Sequence, residues 1–262
     1  MDETFQIHIN RIARMALPEA RKTQVQHIQP SPKFQQQAGG IQPSPFPGYS
    51  IITPPWVDES ENGVFYEQLQ VFQQQILQEL VPGMLVPVPP ASFHMTLADL
   101  IWDSAFHHAV TEDANFEQKL RDRLSLLFER FQDTLAGSSP IYWQVLGLIV
   151  MPRAVGVCLM PKDEASYEQV VTLRRLIYQD PGLISLGIEQ QYHLTAHVTL
   201  GYFGNLPNAL DRETLSDTLS TLNNRWLEAT DPQPLWIHRA ELRKFDDMTR
   251  YYREPDWATV SF

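Results

Sequence analysis

The sequence predicts an α+β fold, and three observations carry that prediction. Short segments rich in β-branched and aromatic residues alternate with four long stretches whose apolar residues recur at three- and four-residue spacings. No strand-like segment is followed by a glycine-rich turn, which argues against a nucleotide-binding Rossmann or P-loop arrangement. The third observation is a near-repeat. Phe93-His94-Met95-Thr96-Leu97 returns as Ala196-His197-Val198-Thr199-Leu200, its histidine 103 residues further on, and both copies read His, apolar, Thr, Leu.

Composition sets limits on size and partners. At 262 residues the chain lies near the length at which a single core stops growing, so one large domain or two intimate lobes are both allowed. A hydrophobic content of 43% is ample for a core. Cys158 is the only cysteine, which excludes an internal disulfide and fits a reducing compartment. Near the N-terminus Phe5, Ile7, Ile9, Ile12, Met15 and Leu17 are interrupted by His8, Asn10, Arg11 and Arg14, unlike the apolar core of a signal peptide. No apolar run approaches the roughly 20 residues that cross a bilayer. These features predict a soluble, cytoplasmic protein with no membrane partner. With 31 acidic residues against 20 basic ones, a formal charge of −11, the average surface repels phosphate backbones and disfavours duplex nucleic acid. A small phosphorylated ligand or a single RNA end stays compatible, because local groups outweigh charges screened beyond about 8–10 Å.

In chain order, residues 4–17 read as a short helix closed by Pro18. Ile28-Gln29-Pro30-Ser31-Pro32 then recurs as Ile41-Gln42-Pro43-Ser44-Pro45 around a glutamine-rich stretch and Gly39-Gly40, a composition that suits an extended spacer. Residues 1–45 are therefore expected to be an N-terminal extension and Pro/Gln-rich linker, and 46–262 the folded domain. Tyr49 to Thr53 is its first strand. Over 62–80, Val64, Leu69, Phe72, Ile76 and Leu80 mark an amphipathic helix that Pro82-Gly83 stops. Met84 to Val88 is a short strand leading through Pro89-Pro90 into the first His-Thr segment. Residues 113–135 form a second long helix with Phe116, Leu120, Leu124, Leu127, Phe128 and Phe131 on its buried side, ended at Gly137-Ser138-Ser139-Pro140. Ile141 to Met151 and Ala154 to Met160 make a hairpin turned at Pro152-Arg153. Lys162 to Tyr178 resumes helical spacing until Pro181-Gly182. After the second His-Thr segment, Asp211 is a candidate N-cap for a last helix over 212–229. Leu235 to Phe245 and Met248 to Tyr252 read as a closing pair of strands turned at Asp246-Asp247.

In a strand, successive side chains alternate faces, so His94 and Thr96 project together while Phe93, Met95 and Leu97 point the other way. In the second copy Ala196, Val198, Leu200 and Tyr202 form the apolar face. His197, Thr199 and Gly201 form the polar one, with Gly201 leaving space beside the site.

These paired segments resemble the 2H phosphoesterase superfamily, which includes bacterial RNA 2′,3′-cyclic phosphodiesterases and the so-called 2′-5′ RNA ligases. The lead-in Pro89-Pro90-Ala91-Ser92 is similar to that of an uncharacterised bacterial branch, and the resemblance covers roughly residues 46–262. It implies two similar lobes of antiparallel β-sheet with outer helices and an active-site cleft between them. It also implies that His94 and Thr96, and His197 and Thr199, face each other across that cleft. His193 and Thr195 share the parity of the second segment, but only His197 and Thr199 are followed by the leucine that completes the repeat. His193, about 13 Å along the strand, is placed at the cleft edge.

A cyclic phosphodiester opens when water attacks phosphorus in line and the leaving oxygen takes up a proton. Two imidazoles with ordinary pKa values near 6.5 can divide that work as base and acid. Thr96 and Thr199 would donate hydroxyls to the non-bridging oxygens. The expected function is a phosphodiesterase, independent of metal or cofactor, acting on a cyclic phosphate of a nucleotide, an RNA end or a related metabolite. The alternative is a non-catalytic module that binds a phosphorylated ligand in the same cleft. Which histidine is the base stays open at this point. Tyr202, Phe203, Tyr251 and Tyr252 are candidates for stacking on a base at the cleft rim. A third reading builds a metal hydrolase on His94, Asp99 and His107 or His108, with Asp103 nearby, although that spacing matches no known ligand pattern. Either His-Thr segment alone is equally explained by sheet histidines with Thr present for β-propensity. Cys158, inside an apolar strand, reads as a small buried hydrophobe and not as a nucleophile.

Overall fold

The computed structural model describes residues 3–135 and 140–262. From the N-terminus it forms α1 (Phe5–Met15), α2 (Pro18–Gln24), β1 (Phe34–Gln37), β2 (Gly40–Pro43), β3 (Gly48–Ile52) and α3 (Gly63–Glu79). The middle of the chain forms β4 (Leu85–Pro87), β5 (Thr96–Trp102), α4 (Asp103–Glu112), α5 (Phe116–Thr134), β6 (Ile141–Met151) and β7 (Ala154–Pro161). The remainder is α6 (Glu164–Tyr178), α7 (Pro181–Ser185), β8 (His197–Phe203), α8 (Arg212–Thr230), β9 (Leu235–Ile237), β10 (Arg239–Phe245), β11 (Tyr251–Tyr252) and β12 (Thr259–Ser261).

The architecture is α+β, with two five-stranded antiparallel sheets. In the first, β11, β10, β3 and β5 are neighbours in that order, and β12 pairs with the first half of β10. In the second the order is β4, β8, β7, β6, β9. The four long amphipathic helices expected from periodicity are α3, α5, α6 and α8, and each puts its apolar stripe into the core. The α8 N-terminus is capped by the Asp211 side chain, which accepts from the Glu213 and Thr214 amides. Across the second sheet α3 meets α8, where Phe72 and Trp226 stack at 4.2 Å between ring centroids. Helix α6 packs on β5 as well as on β6 and β7, and so spans both sheets. One continuous cluster of buried apolar residues runs from Val25 to Val260, so the two lobes share a core. The stop expected after α5 at Gly137-Ser138-Ser139-Pro140 falls mostly on residues 136–139, outside the described residues. No helix among the described residues is long and apolar enough to cross a membrane.

Two expectations need correction. The first is the linker. Ile12, Val25 and Ile28 are buried, and Arg21 is sunk among backbone carbonyls, donating to Ala16 O at 2.6 Å and Leu148 O at 3.4 Å. The Gln29 and Ser31 amides bond to Pro152 O and Phe203 O of the second sheet, and the Phe46 amide bonds to Asp246 O beside the first. Between these anchors β1 and β2 form a hairpin. The Pro-rich composition thus encodes a strap whose backbone bonds go to both sheets, which no periodicity could show. The second correction concerns 235–245. That stretch is two strands, because β9 closes the second sheet against β6 and, past His238, β10 lies in the middle of the first. The uninterrupted β-rich pattern hid a crossing between lobes.

Candidate active site

Both histidines of the repeat are fixed at the entry of a strand. His94 lies two residues before β5, where the extended lead-in is held by the Thr53 amide on Met95 O and by the Met95 amide on Thr53 Oγ1, each at 2.9 Å. With Phe93 and Met95 fully buried, the intervening His94 is left to point at the cleft. His94 Nδ1 sits 2.7 Å from Ser92 O, and His197 Nδ1 sits 2.7 Å from Thr195 O, in each case the carbonyl two residues earlier. A carbonyl only accepts, so Nδ1 carries the hydrogen and Nε2 presents its lone pair. The two imidazoles are therefore held in one tautomer by matched backbone contacts.

The strands that follow are bulged, and the bulges decide what shares the face with the histidines. On β8 the register steps from Thr199 opposite Gly156 to Gly201 opposite Val155, which leaves Leu200 as an extra residue. His197, Thr199 and Tyr202 consequently share one face, and all three are partly exposed while Val198, Leu200, Gly201 and Phe203 are buried. On β5, Thr96 faces Ile52, Ala98 faces Ile51, Asp99 faces Ser50 and Ile101 faces Tyr49, so that Leu97 and Leu100 are extra. Thr96, Asp99 and Trp102 come onto one face. Each His-x-Thr is thus followed, three residues beyond the threonine, by a further side chain on the same face: Asp99 in the first copy and Tyr202 in the second.

This corrects two placements from strict alternation. Tyr202 belongs to the polar face, and Gly201 opens no space beside the site, since a Cβ there would lie 2.8 Å from Val86 O. The close approach that a glycine does permit next to the site is at Gly156, where a Cβ would lie 3.5 Å from the His197 ring and 2.7 Å from Val198 O.

Around the histidines the cleft is lined by aromatic and charged groups. Tyr251 packs on the His94 ring with centroids 4.2 Å apart, and its hydroxyl and that of Tyr202 both approach Met248 Sδ, at 3.6 and 3.3 Å. Phe34 of the strap packs on Tyr202 at 5.5 Å. Ser50 Oγ lies 3.3 Å from Asp99 Oδ1. Arg174 donates to Leu97 O and to Tyr192 O at 3.2 Å, tying the first motif strand to the segment that leads into the second. Arg11, from α1, donates to Leu194 O at 2.6 Å and Thr195 Oγ1 at 3.0 Å, one residue from the carbonyl that orients His197.

Burial sets the electrostatics. Desolvation lowers the His94 pKa to about 4, against the opposing pull of the Ser92 carbonyl, and nearby His197 and Arg243 lower it further. Desolvation lowers His197 as well, but the Thr195 carbonyl and Asp99 favour its charged form. Burial raises the Asp99 carboxyl, while Lys33, Arg174 and His197 pull it back down. Asp99 therefore interacts with only one of the two motif histidines strongly enough to shift it.

The remaining candidates separate from this cluster. Phe203 is fully buried on the opposite face of β8, in the core. Tyr252 points away from Tyr251, with its hydroxyl 3.1 Å from Asp246 Oδ1 and Arg250 over its ring. His193 precedes β8 and lies beside Glu3, its Nδ1 3.9 Å from Oε1. His107 and His108 are exposed on α4, apart from His94 and Asp99, and no group of three metal-ligating side chains is assembled among the described residues. The metal-hydrolase reading is corrected on that ground: its donors do not converge. Burial pushes the Cys158 thiol up to about 12, which leaves it inert as a nucleophile. Alternation did not show Asp99 in the cleft, and Arg11, Arg174 and Lys33 carried no motif. Lys33 did carry one signal, being the only charged residue between His27 and Asp58.

No family model matches the chain, and no curated protein matches it in sequence. Among solved structures it is similar to ATU0111, a conserved protein of unknown function from Agrobacterium tumefaciens, at 15% identity and a TM-score of 0.56, covering 87% of this chain and 93% of that one. That likeness is one of fold. E. coli LigT in apo form aligns at 15% identity with a TM-score of 0.46, over 84% of this chain and all of LigT. LigT complexed with 3′-AMP aligns at 15% identity and 0.44, over 82% of this chain and 98% of that one.

Proposed function

We propose that this protein is a phosphoesterase of the 2H type that hydrolyses a cyclic phosphodiester on a small phosphorylated substrate or an RNA end, with His94 and His197 as its acid–base pair. The observation that carries this reading is the matched anchoring of the two imidazoles, each with Nδ1 on the carbonyl two residues back and Nε2 free for a proton transfer. Their environments divide the roles. His94, packed on Tyr251 with no carboxylate shifting it, stays neutral and takes the proton from the attacking water. His197 has Asp99 to favour its imidazolium, and gives a proton to the leaving oxygen. The Thr96 and Thr199 hydroxyls, on the same faces, donate to the non-bridging oxygens as charge develops. The proton balance closes when the leaving alcohol departs with the His197 proton, His94 releases the proton taken from water to solvent, and His197 takes one up from solvent.

The test is turnover of 2′,3′-cyclic nucleotides by the intact chain and its variants. His94→Ala and His197→Ala should each remove most activity, and the double variant should be little worse, because groups acting as a unit are non-additive. Full activity in either single variant would refute the pair. Tight binding of phosphorylated ligands without turnover of any cyclic phosphate would establish the binding-module alternative instead.

A further inference from the structure

The strap brings one cation to the cleft, and that cation lacks a partner of its own. Lys33 Nζ sits 4.5 Å from the Phe46 ring centroid and 5.1 Å from that of Tyr202, the residue sharing a face with His197 and Thr199. Among the described residues no carboxylate lies within ion-pair distance of it, and its three donors are unused. Its contact with Tyr202 places the ammonium on the His197 side of the site, where Asp99 and Arg153 act on its charge. The Phe46 and Tyr202 rings lie against it, and burial drops its pKa to about 8. Holding an ammonium half-buried without a counter-ion is costly, and a phosphate in the cleft removes that cost.

We propose that Lys33 is a substrate-binding residue that contacts the same phosphate as His197, so that the N-terminal strap, and not the motif strands, supplies the site's cation. The inference rests on the phosphate-binding cleft proposed above. It explains why a chain with 31 acidic residues, one of them Asp99 in the cleft, can admit an anion there. It also gives the strap's bonds to both sheets a purpose, since they hold Lys33 over Tyr202. The rival role is counter-ion to Asp99 alone.

Binding of inorganic phosphate to the intact chain, measured by calorimetry, separates these. Lys33→Met should weaken phosphate binding roughly tenfold to a hundredfold, the worth of one charge-assisted contact, and Lys33→Arg should recover part of it. In an Asp99→Asn background Lys33→Met should still weaken phosphate binding, whereas a mere counter-ion to Asp99 would then have no effect left to lose. Independently of any variant's folding, phosphate should protect Lys33 of the unaltered chain from amine-modifying reagents, read by mass spectrometry. Absence of phosphate binding, unchanged affinity in Lys33→Met, loss of the Lys33→Met effect in the Asp99→Asn background, or equal modification with and without phosphate would each overturn the assignment. Turnover is scored separately. Phosphate held through Lys33 without hydrolysis of any cyclic phosphate refutes the proposed reaction alone, and hydrolysis with phosphate affinity independent of Lys33 refutes this inference alone.

Discussion

At the scale of single residues, the unequal charge surroundings of two like imidazoles have a kinetic signature. The base must be unprotonated, so kcat/KM should rise as pH passes upward through about 4, where His94 loses its proton. The acid must be protonated, so the rate should fall again above the His197 pKa, which desolvation holds below 6.5. The expected profile on a 2′,3′-cyclic nucleotide is a bell with its optimum on the acid side of neutrality. Asp99→Asn should move the alkaline limb to lower pH and leave the acid limb in place, since Asp99 favours the charged form of His197 and does not shift His94. An optimum well above pH 7, or a limb unmoved by Asp99→Asn, would contradict this division of labour. Little of it was legible in the sequence. The paired His-x-Thr segments identified the imidazoles, but which of them is near a carboxylate depends on a cleft-facing Asp99 that strict alternation hides.

At the scale of elements, the instructive errors come from one assumption, that a strand keeps a period of two. Both motif strands break it, at Leu97 and Leu100 in β5 and at Leu200 in β8. A bulge costs a residue of pairing and re-aims everything beyond it, and none of the three leucines differs by type from its neighbours in a way that announces the step. The long helices were legible because tertiary burial reinforces a 3.6-residue period over four or five turns, as along α5. Helix α1 was legible as a helix, but not in its role. Ile12 packs on Cys158, the residue opposite His197, while Arg11 grips Leu194 O and Thr195 Oγ1. Arg11→Met should therefore lower kcat by up to about 100-fold with little change in KM, the scale of loss when a reacting group is misplaced by an ångström. Arg11→Lys should rescue poorly, because an ammonium cannot reproduce the two-pronged grip. A variant that loses thermal stability but keeps kcat would show that Arg11 serves only the fold.

At the scale of the whole molecule, the N-terminal segment and the ends of the chain hold the lobes together. Deleting residues 1–40 removes the buried side chains of Ile12, Val25 and Ile28 from the core, together with Arg21 and Lys33. At roughly 1.5–3 kcal/mol for each large apolar side chain, the three account for about 5–9 kcal/mol, comparable with the whole stability of an ordinary domain. The truncated chain should melt far below the intact protein or fail to fold, as read by thermal unfolding. Retention of the full Tm and activity would restore the view of these residues as a spacer. The crossing at His238 has a consequence in time. The second sheet needs nothing beyond residue 237, whereas in the first sheet the strands beside β3, apart from β5, lie beyond residue 238. During synthesis β3 waits with one edge unpaired until β10, which begins at Arg239, has been made, exposed in the meantime to other nascent strands.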